Sequence, residues 1–81
     1  MARFFFHQQT PRGSIDDPDG SELDDMEAAR AEAITAARHM WAAAILAGDD
    51  ISEWSFEVAD ADGRHLMSIP FRDALPVSLR G

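Results

Sequence analysis

With 81 residues, a formal net charge of -8 and no cysteine, the chain is one small acidic domain near the lower end of what buries its own core, and its charge argues against nucleic acid as a partner. The lack of cysteine excludes disulfides and thiolate metal sites, and suits a reducing compartment. A hydrophobic content of 46% argues against intrinsic disorder, although alanine supplies much of it and buries little area per residue.

"RFFFHQQ", Arg3 to Gln9, is predicted to be a strand, with Phe4 and Phe6 on one face and Phe5 on the other. One arginine and three phenylalanines before His7 fall short of a signal peptide, and nothing approaches a membrane span, so the expectation is a cytoplasmic protein with no membrane partner. "QQTPRGS" then turns the chain toward a weak second strand around Ile15 and Asp16. Asp16 to Asp25, with Pro18 and Gly20 inside it, is expected to be an acidic loop.

The stretch from Met26 to Ala47 contains neither glycine nor proline and predicts one long helix. Asp24 with Glu27 three residues later forms the expected capping box, and Gly48 the stop. At 3.6 residues per turn Met26, Ala33, Ile34, Ala37, Trp41, Ala44 and Ile45 fall on one face, opposite Glu32, Thr35 and His39. Arg30 interrupts that stripe and is expected to lay its stem along the core edge.

Trp54, Phe56 and Val58 alternate with Ser55, Glu57 and Ala59, the pattern of a half-buried strand. "DADG" is a turn, after which His65, Met67 and Ile69 alternate with Leu66 and Ser68 until Pro70 ends the strand. Phe71 and Leu75 are expected to fold back on the core, and the last six residues to be loose.

The predicted fold is therefore α+β: a small antiparallel sheet in ββαββ order, one long helix packed on one face, and an ordered core over residues 3–75. One helix covers one face only. Either Phe5 and Leu66 form an apolar patch on the other face that pairs two chains as a homodimer, or the carboxy-terminal segment covers it.

Candidate chemistry is thin. Asp17, Asp19 and Gly20 match three positions of a calcium loop, but Ile15 and Met26 stand where the end ligands belong, so turn chemistry explains these acids. His7 and His65 lie on predicted strands and form the one candidate polar site, for a metal or for acid and base chemistry, although no metal-ligand spacing supports it. No serine sits in a nucleophile elbow and no glycine-rich loop cradles a phosphate. The expectation is no cofactor, no metal and no catalytic residue.

"RFFFH", "IDDPDGSELDDMEAARAEA" and "FEVADADGRHLMSIPFRDAL" together resemble a family of short bacterial proteins of unknown function. That resemblance spans most of Arg3 to Leu75 and implies no activity. Two strands, an acidic turn and an "EAARAEA" helix also resemble the amino-terminal domain of HicB-like antitoxins, which bind RNA-cleaving toxins. This chain lacks their carboxy-terminal DNA-binding segment and their proline and glycine pattern after the second strand. The leading expectation is a non-enzymatic, homodimeric interaction or regulatory domain using Phe5, Leu66 and the acids Asp16, Asp17 and Asp19. An antitoxin-like inhibitor of a basic partner is the alternative.

Overall fold

A computed structural model describes residues 1–80. Its elements in order are β1 (Ala2–Thr10), β2 (Gly13–Ile15), β3 (Ser21–Leu23), α1 (Met26–Ala47), β4 (Ser55–Ala59) and β5 (His65–Pro70). Short 3-10 helices follow at Phe71–Ala74 and Val77–Leu79. The strands form one small antiparallel sheet in the order β2-β1-β4-β5, with β3 also paired to β1.

β1 organises the sheet. Phe5 to Gln9 pair with β4, Gln8 to Thr10 with β2, and Ala2 to Phe4 with β3. Amides of alternate residues point to the same edge of a strand, so β2 and β3 take the two ends of one edge of β1. β3 corrects the expectation that Asp16 to Asp25 is all loop: Ser21–Leu23 is a strand, giving βββαββ order. Three residues carry no readable period, and their pairing is set by a partner at the far end of the segment.

The helix spans Met26–Ala47 as expected, but its cap is Asp25 and not Asp24. Asp25, in extended backbone, is the N-cap, and its carboxylate accepts the Ala28 amide at 2.8 Å. At the other end Gly48 has φ 77°; its amide donates to Ile45 O at 3.2 Å and the Asp49 amide to Ala44 O at 2.8 Å, which closes the last turn.

Ala29, Ala33, Ala37 and Ala44 are buried, and they share one core cluster with Phe4, Phe56, Val58, Ile69 and Phe71. Ile34, Met40 and Trp41 pack against it. Met26 and Ile45, expected on this stripe, are 44% and 69% exposed. Ile45 lies one residue, about 100° around the helix, from the buried Ala44, and Met26 stands in the first turn ahead of the alanine row.

The carboxy-terminal segment does fold back. Phe71 is fully buried, Leu75 half-buried, and Trp41 Nε1 donates to Phe71 O at 2.8 Å while Arg38 Nε donates to Ala74 O at 3.2 Å. The residues expected to be loose include a short helix, braced by Arg80 bonds to Leu75 O at 3.0 Å and Asp73 O at 2.9 Å.

Register separates two faces of the sheet. Phe6, Val58 and Met67 pair in one row, Gln8, Phe56 and Ile69 in the next, and both rows lie on the apolar side with Phe4. His7, Glu57 and Ser68 form the middle row of the opposite side, beside Phe5, Ala59 and His65. A bulge between Val58 and Ala59 corrects the predicted alternation in β5. It puts His65 on the polar side, apart from Met67 and Ile69, and leaves Leu66 without a partner in the ladder, packed against the core cluster.

Candidate functional site

Two surfaces gather the side chains that could meet a ligand. The first is the polar face of the sheet. Ser55 and Glu57 alternate outward along β4 and Ser68 faces Glu57 from β5, so pleating alone brings them together. Glu57 Oε1 accepts from Ser68 Oγ at 2.6 Å and lies 3.2 Å from His65 Nε2; Glu57 Oε2 accepts from Ser55 Oγ at 2.8 Å. Partial burial pushes the Glu57 carboxyl up, but the bonds from Ser68, Ser55 and His65 outweigh it and hold the group below its ordinary range.

His65 Nε2 also lies 3.1 Å from Ser68 Oγ. Serine, histidine and carboxylate thus meet, but the same ring nitrogen faces both partners and the serine hydroxyl is donated to the carboxylate. A nucleophilic serine needs its proton accepted by one ring nitrogen while the acid orients the other. The cluster is a mutually satisfied polar network.

His7 belongs to the same face and is pinned by the acidic loop. The Asp17 amide donates to His7 Nδ1 at 3.0 Å, and Asp16 Oδ1 lies 3.8 Å from the same nitrogen. Asp17 Oδ2 accepts the Phe6 amide at 3.1 Å, and Oδ1 accepts the amides of Asp19 and Gly20, each at 3.2 Å. Burial raises the Asp17 pKa, the three amides lower it with help from His7, and the net direction is down. Asp19 contributes its carbonyl, which accepts from Arg3 Nη1 at 2.7 Å. Among the described residues no group of three or more His, Asp or Glu side chains is placed to hold a metal ion.

Phe5 is half-buried, with its ring edge against Gly20: a Cβ there would lie 2.9 Å from Phe5 Cε2. Phe5 therefore leans on the acidic loop. Leu66 is on the other side of the sheet, so the two do not form one patch.

The second surface lies at the carboxy-terminal end of α1. "MWAAAILA", Met40 to Ala47, is apolar around the whole helix, yet only Ala44 in it is buried, and Leu46 is 90% exposed. A groove of about 280 Å³ runs between this helix end and the following connection, walled by Met40, Ala43, Ala47, Ile51 and Trp54 with Asp49 at its rim. A cleft of about 370 Å³ shares Asp49, Ile51 and Trp54 and adds Asp50 and Arg12. The Ser52 hydroxyl and amide hold the Asp50 carboxyl below its ordinary range.

Residues 3–72 match the family model described as a domain of unknown function, DUF6894. The chain belongs to that family. The match agrees with the resemblance to short proteins of unknown function and takes in all of α1 and all strand residues except Ala2. Among curated proteins and solved structures none matches the chain with significance. In this DUF6894 domain the sequence marked Phe5, Leu66, His7, His65 and the acids Asp16, Asp17 and Asp19 as site candidates; the structure puts Phe5, His7 and His65 on the polar side of the sheet, Asp16 and Asp17 beside His7, and Leu66 against the core. The sequence missed Glu57, Ser55 and Ser68, for which the outward alternation on β4 and β5 was the available signal, and it missed the groove beside Trp54. No helix among the described residues is long and apolar enough to cross a membrane.

Proposed function

We propose that this DUF6894 domain is a non-enzymatic protein-interaction module, with α1 laid over the apolar side of the sheet, and that its acidic surface meets a basic partner. The observation that carries this reading is the -8 charge displayed on exposed carboxylates in short connections, Asp16 and Asp19 in one, Asp49 and Asp50 in another, Asp62 in a third. Such a field steers a basic protein and speeds encounter. The polar groups of the sheet face, by contrast, are bonded to one another. A reducing, cytoplasmic setting suits a chain without cysteine. An antitoxin role is one form of this reading, with an RNA-cleaving protein as the basic partner.

The homodimer expected through Phe5 and Leu66 has less to support it, since Phe5 leans on Gly20, Leu66 packs against the core, and each copy carries the same charge. The test is recovery of partners on the tagged protein from its native host at low and high salt, with masses by light scattering. One stoichiometric basic protein, lost between about 50 and about 500 mM salt, is the expected result. Recovery of the chain alone, at twice its mass, overturns the reading in favour of self-association.

A further inference from the structure

The helix end combines three features that burial and capping do not explain. Its last two turns are apolar on every side, although a helix that is apolar all round is normally covered. Leu46 stands 90% exposed three residues on from Ala43, which walls the Trp54 groove, so the two are neighbours on the helix surface. No basic residue occupies the last turn, and Asp49, Asp50 and Glu53 follow directly, so carboxylates crowd the negative end of the helix dipole. None of these three acids has a cation within ion-pair distance among the described residues; Arg12 lines the cleft beside Asp49 and Asp50, and Arg72 and Arg80 line one beside Asp50 and Glu53, all without pairing to them.

A cationic amphipathic occupant answers all three. We propose that the groove between α1 and Trp54 is a docking site for a basic amphipathic helix of a second protein, its apolar side on Leu46, Ala43 and Trp54 and its Lys or Arg side chains on Asp49 and Asp50. Ala43 and Ala47 let a helix backbone come close, and cations at this end meet both the carboxylates and the carbonyl end of α1. A second copy of the chain brings -8 and no lysine to the same place, so charge selects against it.

This rests on the interaction-module reading and names its partner class and place. The probe is a fluorescein-labelled model peptide of alternating leucine and lysine blocks, helical and basic, titrated by anisotropy at low salt. The control peptide has glutamate for every lysine. Leu46→Glu adds a negative charge, so charge attraction alone would tighten binding, whereas docking through Leu46 weakens it about tenfold or more. Asp49→Asn with Asp50→Asn is expected to weaken it similarly, and Glu32→Gln with Asp24→Asn, the same charge change away from the groove, to leave it within about twofold. All these positions are exposed, and circular dichroism checks each fold. Equal loss in both acid pairs with no loss in Leu46→Glu overturns the groove while the acidic-surface reading stands. A peptide-free protein at twice its chain mass that becomes single on Leu46→Glu overturns it in favour of a second copy. Absence of peptide binding together with recovery of no basic host partner overturns both readings.

Discussion

The Phe6 amide donates to Asp17 Oδ2 at 3.1 Å, and this bond stands where a strand would otherwise be. β2 pairs with β1 as far back as Gln8 and β3 as far forward as Phe4, so the edge of β1 between them faces a loop. A single carboxylate bridges the break, and it also binds the amides of Asp19 and Gly20 that shape the loop. Because the Asp17 amide in turn holds His7, the geometry of the polar face depends on this residue.

Asp17→Ala is therefore expected to cost about 2 kcal/mol, since it strips an acceptor from three amides, those of Phe6 and Gly20 part-buried; Asp17→Asn, which keeps one carbonyl oxygen, about half of that. The pH dependence has a definite sign. The folded pKa lies below the ordinary one, so the stabilisation is complete above the ordinary carboxylate range and is lost as pH falls through the folded value. Urea unfolding at pH 7 and in steps down through the carboxylate range checks this: the gap between the native chain and Asp17→Ala narrows with acidification, and a constant gap would remove the argument.

Gly20 is needed for space as well as for backbone shape. Its φ is +69°, and a Cβ would lie 2.9 Å from both the Phe4 carbonyl oxygen and Phe5 Cε2. The ring can yield; the paired backbone of β1 cannot. At Gly48, φ +77°, a Cβ would meet nothing within 4 Å. Gly48→Ala is expected to cost about 1 kcal/mol, the strain of a left-handed alanine, and Gly20→Ala about 2 to 3 kcal/mol. Thermal unfolding ranks the two, and equal midpoints would mean that the loop moves off Phe5 freely.

What the sequence showed depended on the range of the signal. α1, its glycine stop and the outward alternation of β4 were legible because period and capping are local. β3 was not, since "SEL" acquires its conformation from Ala2 to Phe4, about twenty residues away. The bulge at Leu66 was hidden for a related reason: a strand's own residues count evenly, and only the partner shows that one is extra. His7 and His65 were correctly placed on strands, yet Glu57, which bonds His65, read as one more outward acid. The groove beside Trp54 joins a helix end to a connection, and no single window of sequence contains both walls.

Glu57 holds its side of the sheet through hydroxyls. Burial works against its charge, while Ser68, Ser55 and His65 favour it and prevail. Its contribution is thus present above the ordinary carboxylate range and disappears as pH falls through the lowered folded value, as for Asp17. Ser68→Ala is expected to cost about 1 kcal/mol at pH 7, and less in the Glu57→Gln background, where the acceptor is no longer charged. The double-mutant cycle measures that difference; additivity of the two changes would show that the 2.6 Å contact carries no coupling.

Alanine sets how closely α1 approaches the core. Ala29, Ala33 and Ala37 are completely buried, in one cluster with Phe71 and Ile69, also completely buried. A larger side chain has no free volume there and must push the helix outward, which also strains the bond from Trp41 Nε1 to Phe71 O. Ala33→Leu is expected to destabilise by about 1 to 3 kcal/mol despite the extra apolar area. Ala31→Leu, two residues away on an exposed position, is expected to stay within about 0.5 kcal/mol, because leucine and alanine differ little in helix propensity. Denaturant midpoints of the two variants separate packing from propensity. If Ala33→Leu proved as stable as the native chain, α1 would have room to recede, and close approach through alanine would not be what holds it.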